Sequence, residues 1–364
     1  MPRPGFGRPE HRRTLAFVAF GLVMTVAVWS QRTTFTAALG ELRALPWWIV
    51  ATLVMVGVIE RVVRIDVFRV LFGQGSTFGT AATVHEVGTA VSKGVPLGGP
   101  IAMGMRWSIC RDASIPTTAF TVTIIAAGAA ATFVTWTLPL LVLGIDLTRR
   151  DADVTDLAVL IVCSVVVFGS VGFWWVTLGS DRVHRWCERR CRQICDRAGR
   201  RIPAAQHVDT TASVDEVRSG LRAVAVRPWG LLSRMVIAQL CGALVLLVAL
   251  RGVGVGAELD TVEFLRVFFI VTLLGSFIPT PGGVGVIEAG LSGALVASGV
   301  APASALAAVL VYRLITYVMP ILFGAVLYLF WRGGATTRAA ATANSDVERW
   351  PAGTPVLVPA IVER

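Results

Sequence analysis

Charge is what this 364-residue chain has least of: Asp, Glu, Lys and Arg together make up 15% of it, against 55% hydrophobic residues. A soluble globular chain carries about 25% charged residues, so this one cannot cover its own surface in water. That excludes the two soluble domains the length alone would suggest. Lysine is almost missing, with Lys93 the only one, and the basic charge is otherwise arginine and 4 histidines. None of the six cysteines (Cys110, Cys163, Cys187, Cys191, Cys195 and Cys241) falls in a segment expected to face the outside. A disulfide framework is therefore not expected. No convincing A-x-A cleavage site follows the apolar run behind residues 1–13, so that run is expected to stay as a first helix.

Catalytic patterns are missing as well. No G-x-x-x-x-G-K-[ST] loop is present, which leaves the chain without a nucleotide-binding P-loop of its own. His85-Glu86 opens an H-E-x-x-H pattern, but Thr89 stands where the second zinc ligand belongs. Gly290-Leu291-Ser292-Gly293 has the look of an intramembrane serine protease motif, yet such an enzyme needs a later histidine as base and the last one is His207. Cys187, Cys191 and Cys195 beside His184 lie on a plain helical stripe rather than in paired C-x2–4-C turns, so no metal is expected. The reading carries no catalytic residue and no cofactor.

What is present is apolar sequence in span-length pieces. A span needs about 20 mainly apolar residues, and six segments qualify: 14–30, 45–63, 117–144, 157–179, 231–251 and 303–331. Two further apolar stretches, about 67–110 and 262–300, are interrupted by Val95-Pro96-Leu97-Gly98-Gly99-Pro100 and by Pro279-Thr280-Pro281-Gly282-Gly283-Val284-Gly285. Proline removes a backbone donor and glycine loosens the helix, so neither stretch is expected to be continuous.

Arginine distribution sets an orientation. Residues 181–230 hold eleven Arg against six acids, whereas 145–156 hold four Asp and two Arg, and 252–260 only Glu258 and Asp260. The basic loop and both termini are then expected in the cytoplasm, in a bacterial-type plasma membrane. Within 181–202, Val183, Trp186, Cys187, Cys191, Ile194, Cys195, Ala198 and Ile202 form an apolar stripe opposite arginines, as in an interfacial helix on anionic lipid. The net charge of +10 is accordingly assigned to lipid headgroups and not to nucleic acid. Residues 332–364 read as a disordered cytoplasmic tail, and the oligomeric state is not legible.

The expected fold class is an all-α polytopic membrane protein, with six transmembrane helices and two re-entrant helical hairpins arranged as two inverted repeats. The membrane portions are residues 14–180 and 231–331, with one broken segment in each; in span order, 14–30, 45–63, break, 117–144 is matched by 157–179, 231–251, break, 303–331, three spans per repeat. Gly/Pro-interrupted segments at matching positions of two halves point to a transport site. At the second break, Gly282, Gly283 and Gly285 permit close approach of backbone, and a half-helix beginning near Val286 carries Glu288. Its first amides would favour an anion such as phosphate; a tight hairpin packed through small residues fits the same pattern. Arg313 sits deep in the last span, where charge is costly and must face protein or water. Tyr317, Pro320 and Gly324 continue its stripe, which fits a cavity wall or an internal ion pair with Glu288. Before the first break, Glu86, Thr89 and Lys93 share a helix face, with His85 adjacent and Arg106 beyond. These fit either a lipid phosphate site or a solvated face.

The run Pro279 to Glu288, with Tyr312-Arg313 and Tyr317 to Pro320, resembles the lysylphosphatidylglycerol synthase transmembrane-region family. That is the flippase-like membrane part of the multiple peptide resistance factor and its stand-alone relatives. Val95 to Pro100 is similar to that family's first P-x-G-G element. The resemblance implies lipid translocation, with a headgroup crossing a polar interior while the tails stay in the bilayer. It implies a substrate site of Lys93, Gly98, Gly99, Arg106, Pro281, Gly282, Gly283, Gly285, Glu288, Arg313 and Tyr317. The partner expected is a lipid with an anionic headgroup, a phospholipid or a polyprenyl-phosphate-linked lipid. Only a short tail follows residue 331, so synthesis of an aminoacylated lipid is not expected. Two other readings stand beside it: a membrane glycosyltransferase or lipid-modifying enzyme acting on a prenyl-linked sugar, and a scaffold for lipid-synthesis enzymes. Glu41 is the only acid in 31–45, which speaks against the glycosyltransferase.

Overall fold

The computed structural model describes residues 40–41, 43–73, 76–95, 98–149, 154–183, 185–186, 188–190, 193, 210–255, 259–277 and 283–348. Those residues are all-helical and contain no strand. The eleven α-helices described are α1 (Trp47–Phe72), α2 (Phe78–Gly94), α3 (Gly98–Asp112), α4 (Thr117–Asp146), α5 (Val154–Gly179), α6 (Thr210–Val226), α7 (Trp229–Gly252), α8 (Thr261–Gly275), α9 (Val286–Ala297), α10 (Pro302–Arg313) and α11 (Met319–Glu348). A π-helical turn, Leu314–Val318, joins the last two.

Local chemistry sets many of the boundaries. Gly73, at φ +80°, ends α1, and the Thr77 hydroxyl caps α2 by accepting from Thr80 N at 3.1 Å. Asp260 caps α8 through Val262 N and Glu263 N, and Pro302 sits at the first turn of α10, where its missing N–H costs nothing. The two breaks fall where proline and glycine place them. The helix before the first ends at Gly94 and α3 starts at Gly98, while the second lies between Gly275 and Val286.

Four helical stretches are long and apolar enough to cross a membrane: Thr117–Asp146, Asp156–Gly179, Trp229–Gly252 and Pro302–Gly333. Only 11% of the α5 window is buried, with Phe168 and Trp175 at 72% and 80% exposure. A surface of that kind marks a membrane or protein contact, and the length and hydropathy of α5 fit the bilayer. The expected span 14–30 lies outside the described residues. The expected span 45–63 does not end there: α1 runs 26 residues to Phe72, so the stretch expected at 67–110 begins instead with α2. Glu60, Arg61, Arg64, Asp66 and Arg69 occupy the second half of α1, so it is long enough to cross but not apolar enough. The last helix also outruns expectation, since α11 continues to Glu348; residues 349–364 lie outside the description.

Packing links distant parts of the chain. The α1 and α7 helices lie against each other, α2 against α11, and α8 against α4, while α2 packs on α3 and α8 on α9. Small residues permit the closest approaches. A Cβ at Gly252 would meet Ile49 at 2.8 Å, and one at Gly324 would run into the carbonyl oxygen of Glu86. Leu53, Leu246, Leu250, Phe264, Leu291, Leu295 and Val309 form the buried core between these helices.

The region 181–230 is more structured than a loop. Helix α6 packs on α4, and Arg218 and Arg222 both donate to the Leu178 carbonyl at the end of α5 (3.1 and 2.6 Å). Cations there satisfy a helix terminus that has no further amide to offer. Arg218 also holds the Asp181 carboxyl below the ordinary carboxylate range, by a hydrogen bond and its charge. Of the apolar stripe at 181–202, Trp186 is exposed, with Arg190 over its ring at 5.7 Å. Cys187, Cys191, Cys195 and His184 lie outside the described residues.

A cationic cavity between the helices

Helices α1, α2, α3, α4, α7, α8, α9 and α10 line, with the π turn, an open polar cavity of about 420 Å³. Five cationic side chains line it: Arg61, Arg64, Lys93, Arg106 and Arg313. Three carboxylates, Glu60, Glu86 and Glu288, are paired with some of them, so two positive charges stand in excess. Thr135, Gln239, Thr272, Ser276 and Thr316 supply neutral polar groups along the same wall.

Glu60 sits at the centre of one cluster. Its Oε1 accepts from Arg61 Nη2 at 2.7 Å and from Arg64 Nε at 2.8 Å. Arg64 reaches on to Gln239 Oε1 (3.4 Å), whose amide donates to Thr135 Oγ1 (3.3 Å), tying α1 to α7 and α4. Glu86 is fully buried, with His85 Nδ1 2.9 Å from its Oε1 and Arg61 at 3.9 Å. The reading of Glu86, Thr89 and Lys93 as a solvated face is thereby overturned: Glu86 is 0% exposed and Thr89 9%. A charge that deep persists only because partners surround it.

The second break is built around Glu288. Gly283 and Gly285 have φ +70° and +85°, a region closed to most side chains. Glu288 Oε2 accepts from the Gly285 amide at 2.7 Å, and its Oε1 accepts from Arg313 Nε at 2.7 Å. The expected ion pair is formed, and it alters the expectation for the α9 N-terminus. The carboxylate of Glu288 already takes one of the amides that was expected to greet a phosphate. Arg313 also stacks over Tyr317, 4.4 Å from the ring centre.

Lys93 is positioned by a consequence of Pro320. Proline has no N–H, so the Thr316 carbonyl four residues earlier lacks its α-helical donor. Lys93 Nζ donates to that carbonyl at 2.7 Å, and Tyr317 Oη donates back to the Lys93 carbonyl at 2.9 Å. The π-helical turn thus serves as a seam between α2 and the last helix; π turns are frequent at functional sites. Pro320→Ala is expected to restore the missing amide and draw the Thr316 carbonyl back into an α-helical bond. The protein should keep or gain thermal stability, read from its unfolding midpoint, while Lys93 loses its partner and becomes more reactive to amine labelling.

Arg106 reaches the cavity across α2 because Gly88 has no side chain: a Cβ there would overlap the Arg106 guanidinium stem. Its guanidinium lies over the Phe68 ring at 5.8 Å, and its Nε is buried without a hydrogen-bond partner. Of the sequence-derived candidates, Lys93, Arg106 and Arg313 meet on the cavity wall, and Glu288 and Tyr317 hold two of them. Gly98 starts α3 buried against α2, where a Cβ would run into the Val91 carbonyl oxygen, and Gly99 meets nothing within 4 Å; Pro281 and Gly282 lie outside the described residues. Glu60, Arg61 and Arg64 escaped sequence reasoning because they look like the polar flank of an apolar run. The signal available was the Glu60/Arg64 spacing of one helical turn. Among the described residues no group of three His, Cys, Asp or Glu side chains is arranged to hold a metal.

Apolar outer helices around a buried, charged interior define a multi-pass α-helical membrane protein. Residues 15–324 match the family model described as the lysylphosphatidylglycerol synthase TM region, and the chain belongs to that flippase-like family. No curated protein and no solved structure matches the chain significantly.

Proposed function

We propose that the protein moves a lipid between membrane leaflets, its headgroup passing through the central cavity while its tails remain in the bilayer. The observation that carries this reading is the cavity itself, a polar space with two excess positive charges held among helices from both halves of the chain. Intramembrane charge is expensive and is found where a polar solute or ion passes. Family membership adds an analogy at the level of fold.

The helix contacts support two inverted repeats, each a span, a re-entrant pair and a closing span. Helix α2 leans on α11, the last span of the second half, α8 on α4, which closes the first break, and α1 meets α7. Exchange of this kind is what a pseudo-two-fold relation between halves produces. Counting α1, whose charges face the cavity, and the span expected at 14–30 with the four apolar spans brings the total to six, and arginine distribution puts both termini in the cytoplasm. The protein acts as a transporter and not as an enzyme.

Gly242 gives the direct test, because it lines the cavity and a Cβ there meets only Phe268, at 3.7 Å. Gly242→Trp should fill the space and stop translocation of a fluorescent anionic phospholipid in proteoliposomes, with unfolding temperature held. Wild-type vesicles no faster than protein-free vesicles across a panel of anionic phospholipids and prenyl phosphates would sink the proposal.

A further inference from the structure

Within that transport reading, we infer that the cavity selects a dianionic phosphomonoester headgroup, with Lys93 and Arg106 as its two phosphate ligands, and rejects cationic, aminoacylated headgroups. Arg61, Arg64 and Arg313 each have a carboxylate within ion-pair distance, in Glu60 or Glu288. Lys93 and Arg106 are different. Among the described residues, neither has a carboxylate within that distance, and each is held in place by a neutral group. Lys93 is fixed by the Thr316 carbonyl, Arg106 by the Phe68 ring and the gap at Gly88.

A carbonyl or an aromatic face orients a cation without cancelling its charge. Two such cations lining one cavity leave room for two negative charges, the number a phosphate monoester carries when fully ionised. The Arg106 guanidinium matches phosphate geometry. A lysyl-bearing headgroup brings its own positive charges into a space already in excess by two, and would be repelled. The chemistry is shared by a phosphomonoester lipid and by free inorganic phosphate; the apolar girdle around the site favours the lipid.

The test is binding to the full-length purified protein in mild detergent. The probes are dioctanoyl phosphatidate, dioctanoyl phosphatidylglycerol, its lysylated form and inorganic phosphate. The expected order is phosphatidate first, phosphatidylglycerol about tenfold weaker, and the lysylated form without measurable binding. Lys93→Gln and Arg106→Gln should each erase most of the phosphatidate advantage, and Lys93→Arg should retain it, which separates charge from folding. Equal affinity for phosphatidate and the lysylated lipid would overturn the inference. Inorganic phosphate binding as tightly as phosphatidate would overturn its lipid half. Vesicle translocation of the same lipids reports separately on transport. Movement without headgroup preference would defeat the inference alone, and selective binding with no movement of any lipid would defeat the transport reading alone.

Discussion

Glu288→Ala is expected to cost about 3 kcal/mol of stability, the low end of the range for removing one partner of a buried ion pair, because Arg313 is buried and Glu288 only partly so. The size follows from what one carboxylate does. It caps α9 through the Gly285 amide and neutralises Arg313, which is 8% exposed. Losing it takes the carboxylate from a buried Arg313 and the cap from an amide at a helix start together. Adding Arg313→Met should recover part of the loss, because the buried charge disappears while its volume is largely kept. The unfolding midpoints of wild type, both single variants and the double variant form a cycle that reads the coupling. Additive effects would show that the two side chains act independently, against the geometry. Translocation should be lost in all three variants, since Arg313 also stacks on Tyr317, which is bonded to Lys93.

Gly324→Ala is expected to have the next largest effect from the smallest possible change. The new methyl would run into the Glu86 carbonyl oxygen and lie 2.6 Å from Ala90 Cβ. Neither neighbour is the end of a flexible side chain, so α11 must move away from α2. Overpacking of this kind costs about 1–3 kcal/mol. The functional loss should be larger, because that movement opens the seam at Lys93, Thr316 and Tyr317 and unsettles the wall beside buried Glu86. Gly333→Ala on the same helix is the control: a Cβ there meets nothing within 4 Å, so alanine's better helix propensity should leave it neutral or slightly stabilised. Equal behaviour of the two variants in thermal unfolding and vesicle transport would show that the α2–α11 contact is not critical.

The parts of the site that sequence anticipated are those governed by local backbone chemistry or by the isolation of a charge. Pro279 to Gly285 announced a break, and α9 begins at Val286, where the half-helix was expected. Arg313 and Glu288 were each conspicuous as ions in apolar surroundings, and pairing is what such surroundings demand. The cluster on α1 was not anticipated. Glu60, Arg61 and Arg64 follow an apolar run of span length, and a run ending in charge is ordinarily a helix leaving the membrane. They stay inside because Gln239 on α7, Glu86 on α2 and the cavity between them supply polar company that the sequence of α1 does not reveal.

The same division holds for the whole protein. Composition alone determined that it is a membrane protein, because 15% charged residues cannot solvate a surface of this size. Apolar length and the Pro/Gly interruptions determined four of the spans and both breaks, since insertion and helix continuity depend on neighbouring residues. Tertiary structure decided which charges meet. Lys93 depends on a carbonyl freed by Pro320, 227 positions away in the chain by their numbering. Arg106 depends on the missing side chain of Gly88. Contacts of that kind are set by helix packing, which brings together residues whose spacing in sequence carries no period to read.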